Sequence, residues 1–224
     1  MFRVKICGIT SPEDARLAAD AGADAIGINF YEASPRACSP SAAKAIAEAL
    51  PADICKVGVF VNASADEIRA VAEQVGLDLV QLHGDEPPEF LARLKPLPIM
   101  RAARITDDLS SVEAYLVECH RLLAVPRMLL VDRLHDNAFG GTGQQTDWCA
   151  IAAQRSKLQG MPLVLAGGLK PDNVASAIRK VRPWGVDSAS GVEQSPGRKS
   201  PELVHAFVRE AKAALDAVSR LSER

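Results

Sequence analysis

Several short stretches carry residue types able to do chemistry. In "VKICGIT", residues 4–10, a lysine, a cysteine and a glycine fall on a strand-like run. Side chains alternate along a strand, so Arg3, Lys5 and Cys7 share one face and Val4 and Ile6 take the other. If the apolar pair faces outward, an ammonium lies one layer below a thiol and pulls its pKa below about 8.5, supplying thiolate at neutral pH. The bland alternative stands beside it, because free cysteine also packs as a small hydrophobe. Cys38, Cys55, Cys119 and Cys149 are assigned to that second class. In "LLVDRLHDNAFGGTG" Asp132 ends an apolar run. A half-desolvated carboxyl there suits a general acid, and a structural loop-capping aspartate fits equally well.

Two further stretches have the outline of an anion site. In "LAGGLKPDN", Gly167 and Gly168 follow an apolar run and a helix is expected to begin near Pro171. Glycines let backbone approach a phosphate, and a helix start presents unpaired N–H groups. "SASGVE" supplies Ser190 and Gly191 as partners, and Gly141 and Gly143 in the long loop behind Asp132 are counted with them.

These stretches need a scaffold that gathers them. Eight apolar runs of strand length recur, "FRVKIC", "DAIGINF", "CKVGVFV", "LDLVQLH", "PIMRAAR", "RMLLVD", "PLVLAG" and "WGVDSAS", with helix-length segments between them. Near-continuous apolar strands suit a parallel sheet covered on both faces. Ser11, Ser64 and the Lys170–Asn173 stretch mark helix starts, and Gly22 and Gly76 mark stops. Eight units in 224 residues leave about 28 residues each, which predicts one (β/α)8 barrel over residues 1–224 with no second domain. The residues from Pro201 onward read as a closing helix with Leu203, Phe207, Ala211, Leu215 and Val218 inward. Active sites of such barrels lie at the C-terminal ends of the strands, where the residues above fall.

Composition narrows the partners. Lysine and arginine number 26 against 28 acidic residues, a net charge of −2, so no basic field points to nucleic acid or an anionic membrane. No run approaches the ~20 apolar residues that span a bilayer, and the first ten residues lack a signal peptide's apolar stretch. A cytoplasmic location is expected. Five cysteines without a C-x-x-C pair argue against disulfides and a zinc site. The expected partner is a small phosphorylated molecule, with no metal and no obligatory protein partner.

In order along the chain, "VKICGIT", "SPRACSP", "VGVFVN", "VQLHGDE", "LLVD…GGTGQQTDW", "LAGGLKPDNV" and "GVDSASGVE…PGRK" resemble the phosphoribosylanthranilate isomerase family of tryptophan biosynthesis. The resemblance implies a metal-free, cofactor-free Amadori rearrangement, with Cys7 as general base, Asp132 as general acid and Arg36 holding the anthranilate carboxylate. It also places Gln81, with His83, along the site, where the residues themselves read as structural support for that loop ahead of catalysis. Asp187 has two readings, a grip on a sugar hydroxyl or an ion pair with Lys5 on the neighbouring strand. The chain departs from the family at Ser188-Ala189, which removes one phosphate-side hydroxyl, and at Thr146, where an aromatic is usual. A metal-dependent sugar-phosphate epimerase would want several histidines at strand ends, and only His83 stands at one. Indole-glycerol-phosphate synthase would want a lysine acid after an early strand, and Lys5 lies below Cys7. A non-catalytic phosphate-binding barrel would not need Cys7, Asp132 and Arg36 together.

Overall fold

In the computed structural model, residues 1–105, 108–133 and 148–222 are described. Gly141, Gly143 and Thr146 lie outside these residues. The chain alternates strand and helix: β1 (Val4–Cys7), α1 (Pro12–Asp20), β2 (Ala25–Asn29), α2 (Pro40–Glu48), β3 (Cys55–Phe60), α3 (Ala65–Val75), β4 (Leu79–Leu82) and α4 (Pro88–Arg93). It continues through β5 (Ile99–Ile105), α5 (Ser110–Arg121), β6 (Met128–Arg133), α6 (Trp148–Ala153), β7 (Leu163–Leu165), α7 (Val174–Val181) and β8 (Gly185–Ser188). A short hairpin, β9 (Glu193–Ser195) and β10 (Arg198–Lys199), precedes α8 (Pro201–Ser222). Strands β1 to β8 pair in chain order, all parallel, and β8 returns to β1 to close the barrel.

Each expected strand run forms a strand because both of its faces are covered. Ala25, Val57, Leu79, Met100, Ala102, Met128, Leu130, Val164 and Ala166 pack together as one cluster inside the barrel. Ile6, Ile26, Ile28, Val80, Leu129, Val131 and Val186 face the helices in a second cluster. The helices begin and stop for local reasons. The Ser11 and Ser64 side chains accept hydrogen bonds from the Asp14 and Glu67 N–H groups, satisfying donors that the first turn leaves open. Gly76 ends α3 at φ 71°, a left-handed conformation that costs glycine little.

The Lys170–Asn173 stretch leads into α7, which spans the expected VASAIRKV with Asn173 at its N-cap position, and Pro171–Asn173 themselves form a turn. Three expectations are corrected. On α8, Val204 is fully buried and Leu203 is 37% exposed. Arg3 leaves the inner face of β1 and meets Asp216 on α8 at 2.6 Å, because the strand begins one residue later. Cys149 is exposed, so it is not a core filler, whereas Cys119 is buried.

Candidate active site

At the end of β1 the alternation delivers Lys5 and Cys7 to the barrel interior. Gly27 on β2 makes room for both: a Cβ there would lie 2.7 Å from Cys7 Sγ and 3.0 Å from Lys5 Cε. Closure of the barrel sets Lys5 opposite Asp187 in the β1–β8 ladder. The Lys5 ammonium is fully buried, with Nζ 3.0 Å from Asp187 Oδ1. The two charges touch without the alignment of a hydrogen bond, and neither atom has such a partner among the described residues. The ion-pair reading of Asp187 is therefore the one this geometry contains. Burial pushes the Cys7 thiol above its ordinary pKa, and Asp187 adds to this, while Lys5 and Lys199 pull it down. The expected net lowering by Lys5 is thus corrected, since desolvation outweighs the ammonium.

Asp132 stands at the end of β6, three strand steps from β1 through β7 and β8, in register with Arg104 of β5. His83, just past β4, brings Nε2 to 3.7 Å from Asp132 Oδ2. Burial, followed by the nearby Lys5, Arg104 and Arg101 cations, holds the His83 pKa down at about 4, so its imidazole is neutral at neutral pH. Gln81 shares the inner face of β4 with His83 and lies one layer deeper. Its Nε2 sits 2.9 Å from His83 Nδ1, and its Oε1 is buried without a hydrogen bond among the described residues. The histidine that reaches Asp132 was visible in "VQLHGDE" only as a strand-end residue. Its spacing of two from Gln81 was the available signal.

The loops after β7 and β8 lock onto each other. Gly167 and Gly168 adopt φ of 85° and 67°, which glycine adopts readily and other residues rarely do. Asn173 staples the first loop, donating to Gly168 O and accepting from the Lys170 N–H, both at 2.9 Å. Ser188 Oγ donates to Leu169 O at 2.7 Å. Gly191 packs so closely on that carbonyl that a side chain would collide with it. Ser190 and Gly191 form a single 3-10 turn with Val192.

Arg36 lies in the loop after β2, its aliphatic stem packed over Gly8. Its Nε and Nη2 donate to the two carboxylate oxygens of Glu193 at 2.8 and 2.6 Å. Lys199, also fully buried, donates from Nζ to Glu193 Oε1 at 2.9 Å, to Cys7 O at 2.6 Å and to Ala189 O at 3.1 Å. Glu193 and Lys199 were part of the quoted "GVE…PGRK" but carried no role there. Nothing in their spacing says that a hairpin folds them back under Arg36.

The strand ends thus present a thiol, a carboxyl beside a neutral imidazole, a guanidinium and two interlocked glycine-bearing turns. Among the described residues no group of three or more histidine, cysteine or acidic side chains could hold a metal ion, and no helix is long and apolar enough to cross a membrane. Such a set can move protons on a bound anionic molecule.

Comparison with known proteins agrees over almost the whole chain. The family model for N-(5'phosphoribosyl)anthranilate (PRA) isomerase matches residues 4–210. Proteins named N-(5'-phosphoribosyl)anthranilate isomerase from Rubrobacter xylanophilus and Pelobacter propionicus are 44% and 46% identical to it. Each match covers 95% of this chain, and 100% and 96% of the relatives respectively. The crystal structure of phosphoribosyl anthranilate isomerase from Thermotoga maritima, 39% identical, superposes with a TM-score of 0.85 over 95% of this chain and all of that one. A structure of the isomerase in complex with reduced 1-(o-carboxyphenylamino)-1-deoxyribulose 5-phosphate, 38% identical, gives 0.81 over the same shares. The barrel is that of the isomerases, and the chain belongs to the N-(5'-phosphoribosyl)anthranilate isomerase family.

Proposed function

We propose that this isomerase converts N-(5'-phosphoribosyl)anthranilate to 1-(2-carboxyphenylamino)-1-deoxyribulose 5-phosphate, the family's step in tryptophan biosynthesis, with Asp132 as acid and Cys7 as base. The Asp132 carboxyl gives its proton to the furanose ring oxygen. The C1'–O bond breaks as the anthranilate nitrogen lone pair forms an iminium. The Cys7 thiolate then takes the proton from C2', and its electrons move to neutralise the iminium, leaving an enolamine that tautomerises to the ketone. No electron enters or leaves, and the proton lost by Asp132 is matched by the one gained by Cys7.

The observation that carries this reading is the placement of Cys7 and Asp132 at inward strand ends three steps apart on one barrel mouth, which allows them to flank a single sugar. The neutral His83 supports the acid role. A cationic ring beside Asp132 would favour the ionised carboxylate, and a neutral one does not. Arg36 grips the anthranilate carboxylate through its planar fork. The phosphate rests on backbone N–H groups of the Gly167-Gly168 and Ser190-Gly191 turns, which their mutual packing holds at fixed spacing. Asp187 holds Lys5 in its charged form beside the thiol.

Mixing the protein with freshly made phosphoribosylanthranilate and following loss of anthranilate fluorescence tests the activity. Positioned proton transfer contributes about 10² to 10⁴ in rate, so Cys7→Ala and Asp132→Asn each lose at least ~10² in kcat while a product analogue still binds. Nearly full activity in a folded Cys7→Ala protein would overturn the base assignment. A ligand-bound crystal structure with the phosphate away from the two turns would overturn the anion site.

A further inference from the structure

Glu193 lies at the barrel mouth between two cations, and it is 4% exposed. It accepts from Arg36 Nε and Nη2 and from Lys199 Nζ, whose side chain is wholly buried. Burying three charges is costly unless they pair closely, and here one anion serves two cations. Burial alone would push the Glu193 carboxyl up, but the hydrogen bonds from Arg36 and Lys199 outweigh it and hold it below the usual carboxylate range. The trio keeps one net positive charge. Lys199 spends its other donors on the carbonyls of Cys7 and Ala189, so the positive charge with access to solvent belongs to Arg36, 18% exposed.

The hairpin explains how a residue so far along the chain arrives there. Glu193 and Lys199 pair across β9 and β10, Gly197 turns between them at φ 80°, and Thr10 Oγ1 donates to Gly197 O at 2.6 Å, fastening the turn over the loop after β1. A guanidinium has two bidentate edges. Glu193 occupies the Nε–Nη2 edge, which leaves the Nη1–Nη2 end as the edge able to meet a second carboxylate.

We propose that Glu193 is a positioning residue: it clamps Arg36 by one edge so that the other is aimed at the substrate carboxylate, and through Lys199 it ties that edge to the strand end carrying Cys7. This rests on the reading of Arg36 as the carboxylate grip. Glu193 touches no substrate atom, and its effect on binding passes through Arg36.

The test compares two probes, reduced 1-(o-carboxyphenylamino)-1-deoxyribulose 5-phosphate and the same molecule with phenyl in place of carboxyphenyl. In Glu193→Gln, Kd for the first rises about tenfold or more while Kd for the second stays within about twofold, because a neutral amide no longer holds the guanidinium by a charge-assisted pair. Arg36→Met erases the preference between the probes, and adding Glu193→Gln to it erases nothing more. Glu193→Asp keeps the charge and recovers part of the preference; it serves as the readout if Glu193→Gln does not fold, its preference then falling between those of the unaltered protein and Arg36→Met. Equal weakening of both probes, or no weakening, overturns the positioning role while the Arg36 reading survives. If Arg36→Met itself leaves the preference intact, the carboxylate grip fails and this inference fails with it.

Discussion

At the scale of single residues, the Cys7 thiol is balanced between opposing effects, and each can be removed separately. Burial and Asp187 raise its pKa; Lys5 and Lys199 lower it. Thiolate therefore forms in the free protein above the pH of an ordinary cysteine. Lys5→Met should raise the pH at which iodoacetamide alkylates Cys7, and Asp187→Asn should lower it. Alkylation rates measured against pH decide the matter, and shifts in the same direction would show that charge does not control the thiol. His83 gives a second prediction. Its folded pKa of about 4 lies below the unconstrained value of 6.5, so between those limits the unfolded chain binds the extra proton. Stability should fall as pH drops through that window, by at most roughly 3 kcal/mol. Denaturant melts at pH 7 and near 4.5 should show this loss, and His83→Gln should lessen it. The inward placement of Lys5 and Cys7 was legible from strand alternation. The net direction of the thiol's shift was not, because desolvation depends on the whole barrel that closes around it.

Among the elements, α8 shows where a sequence pattern misleads. Leu203, Phe207, Ala211, Leu215 and Val218 step mostly by four, and at 100° per residue each such step drifts about 40° around the helix. The buried stripe is Val204, Phe207, Val208, Ala211 and Leu215, where steps of three and four cancel the drift. Phe207→Ala should cost about 3–5 kcal/mol of stability by opening a cavity, and Leu203→Ala less than about 1 kcal/mol. Urea unfolding of the two variants separates them. The α7 boundary has a comparable cause. Asn173 spends its side chain on the Gly167-Gly168 loop, so it does not cap the helix in the usual way, and Pro171 sits in a turn ahead of it. The "LKPDN" stretch does lead into the helix, but the Asn173 side chain shapes the turn rather than capping the helix N–H groups.

For the whole molecule, closure of the sheet is the decisive event. Pairing β8 with β1 makes neighbours of residues 5 and 187 and brings the last two loops beside the first strand. Asp132, Cys7 and the two turns then share one mouth, and in the mechanism proposed above the first two carry both proton transfers without a metal. Activity should accordingly persist after exhaustive EDTA treatment and gel filtration, measured by the fluorescence assay. Loss of activity with rescue by a divalent ion would require a different mechanism.

What the chain determined by itself were the local choices: eight doubly covered strands, the serine-capped helix starts, the left-handed stop at Gly76, and the chemical types Cys7, Asp132 and Arg36 at the right ends of their elements. These are read over a few residues, where side-chain period and capping chemistry act directly. Tertiary structure decided how those groups meet. Only the folded barrel brings His83 within 3.7 Å of Asp132, and only the β9–β10 hairpin folds Glu193 and Lys199 back onto Arg36 and the end of β1. Such contacts join residues up to 192 positions apart, and the desolvation that sets their charges comes from every element packed around them.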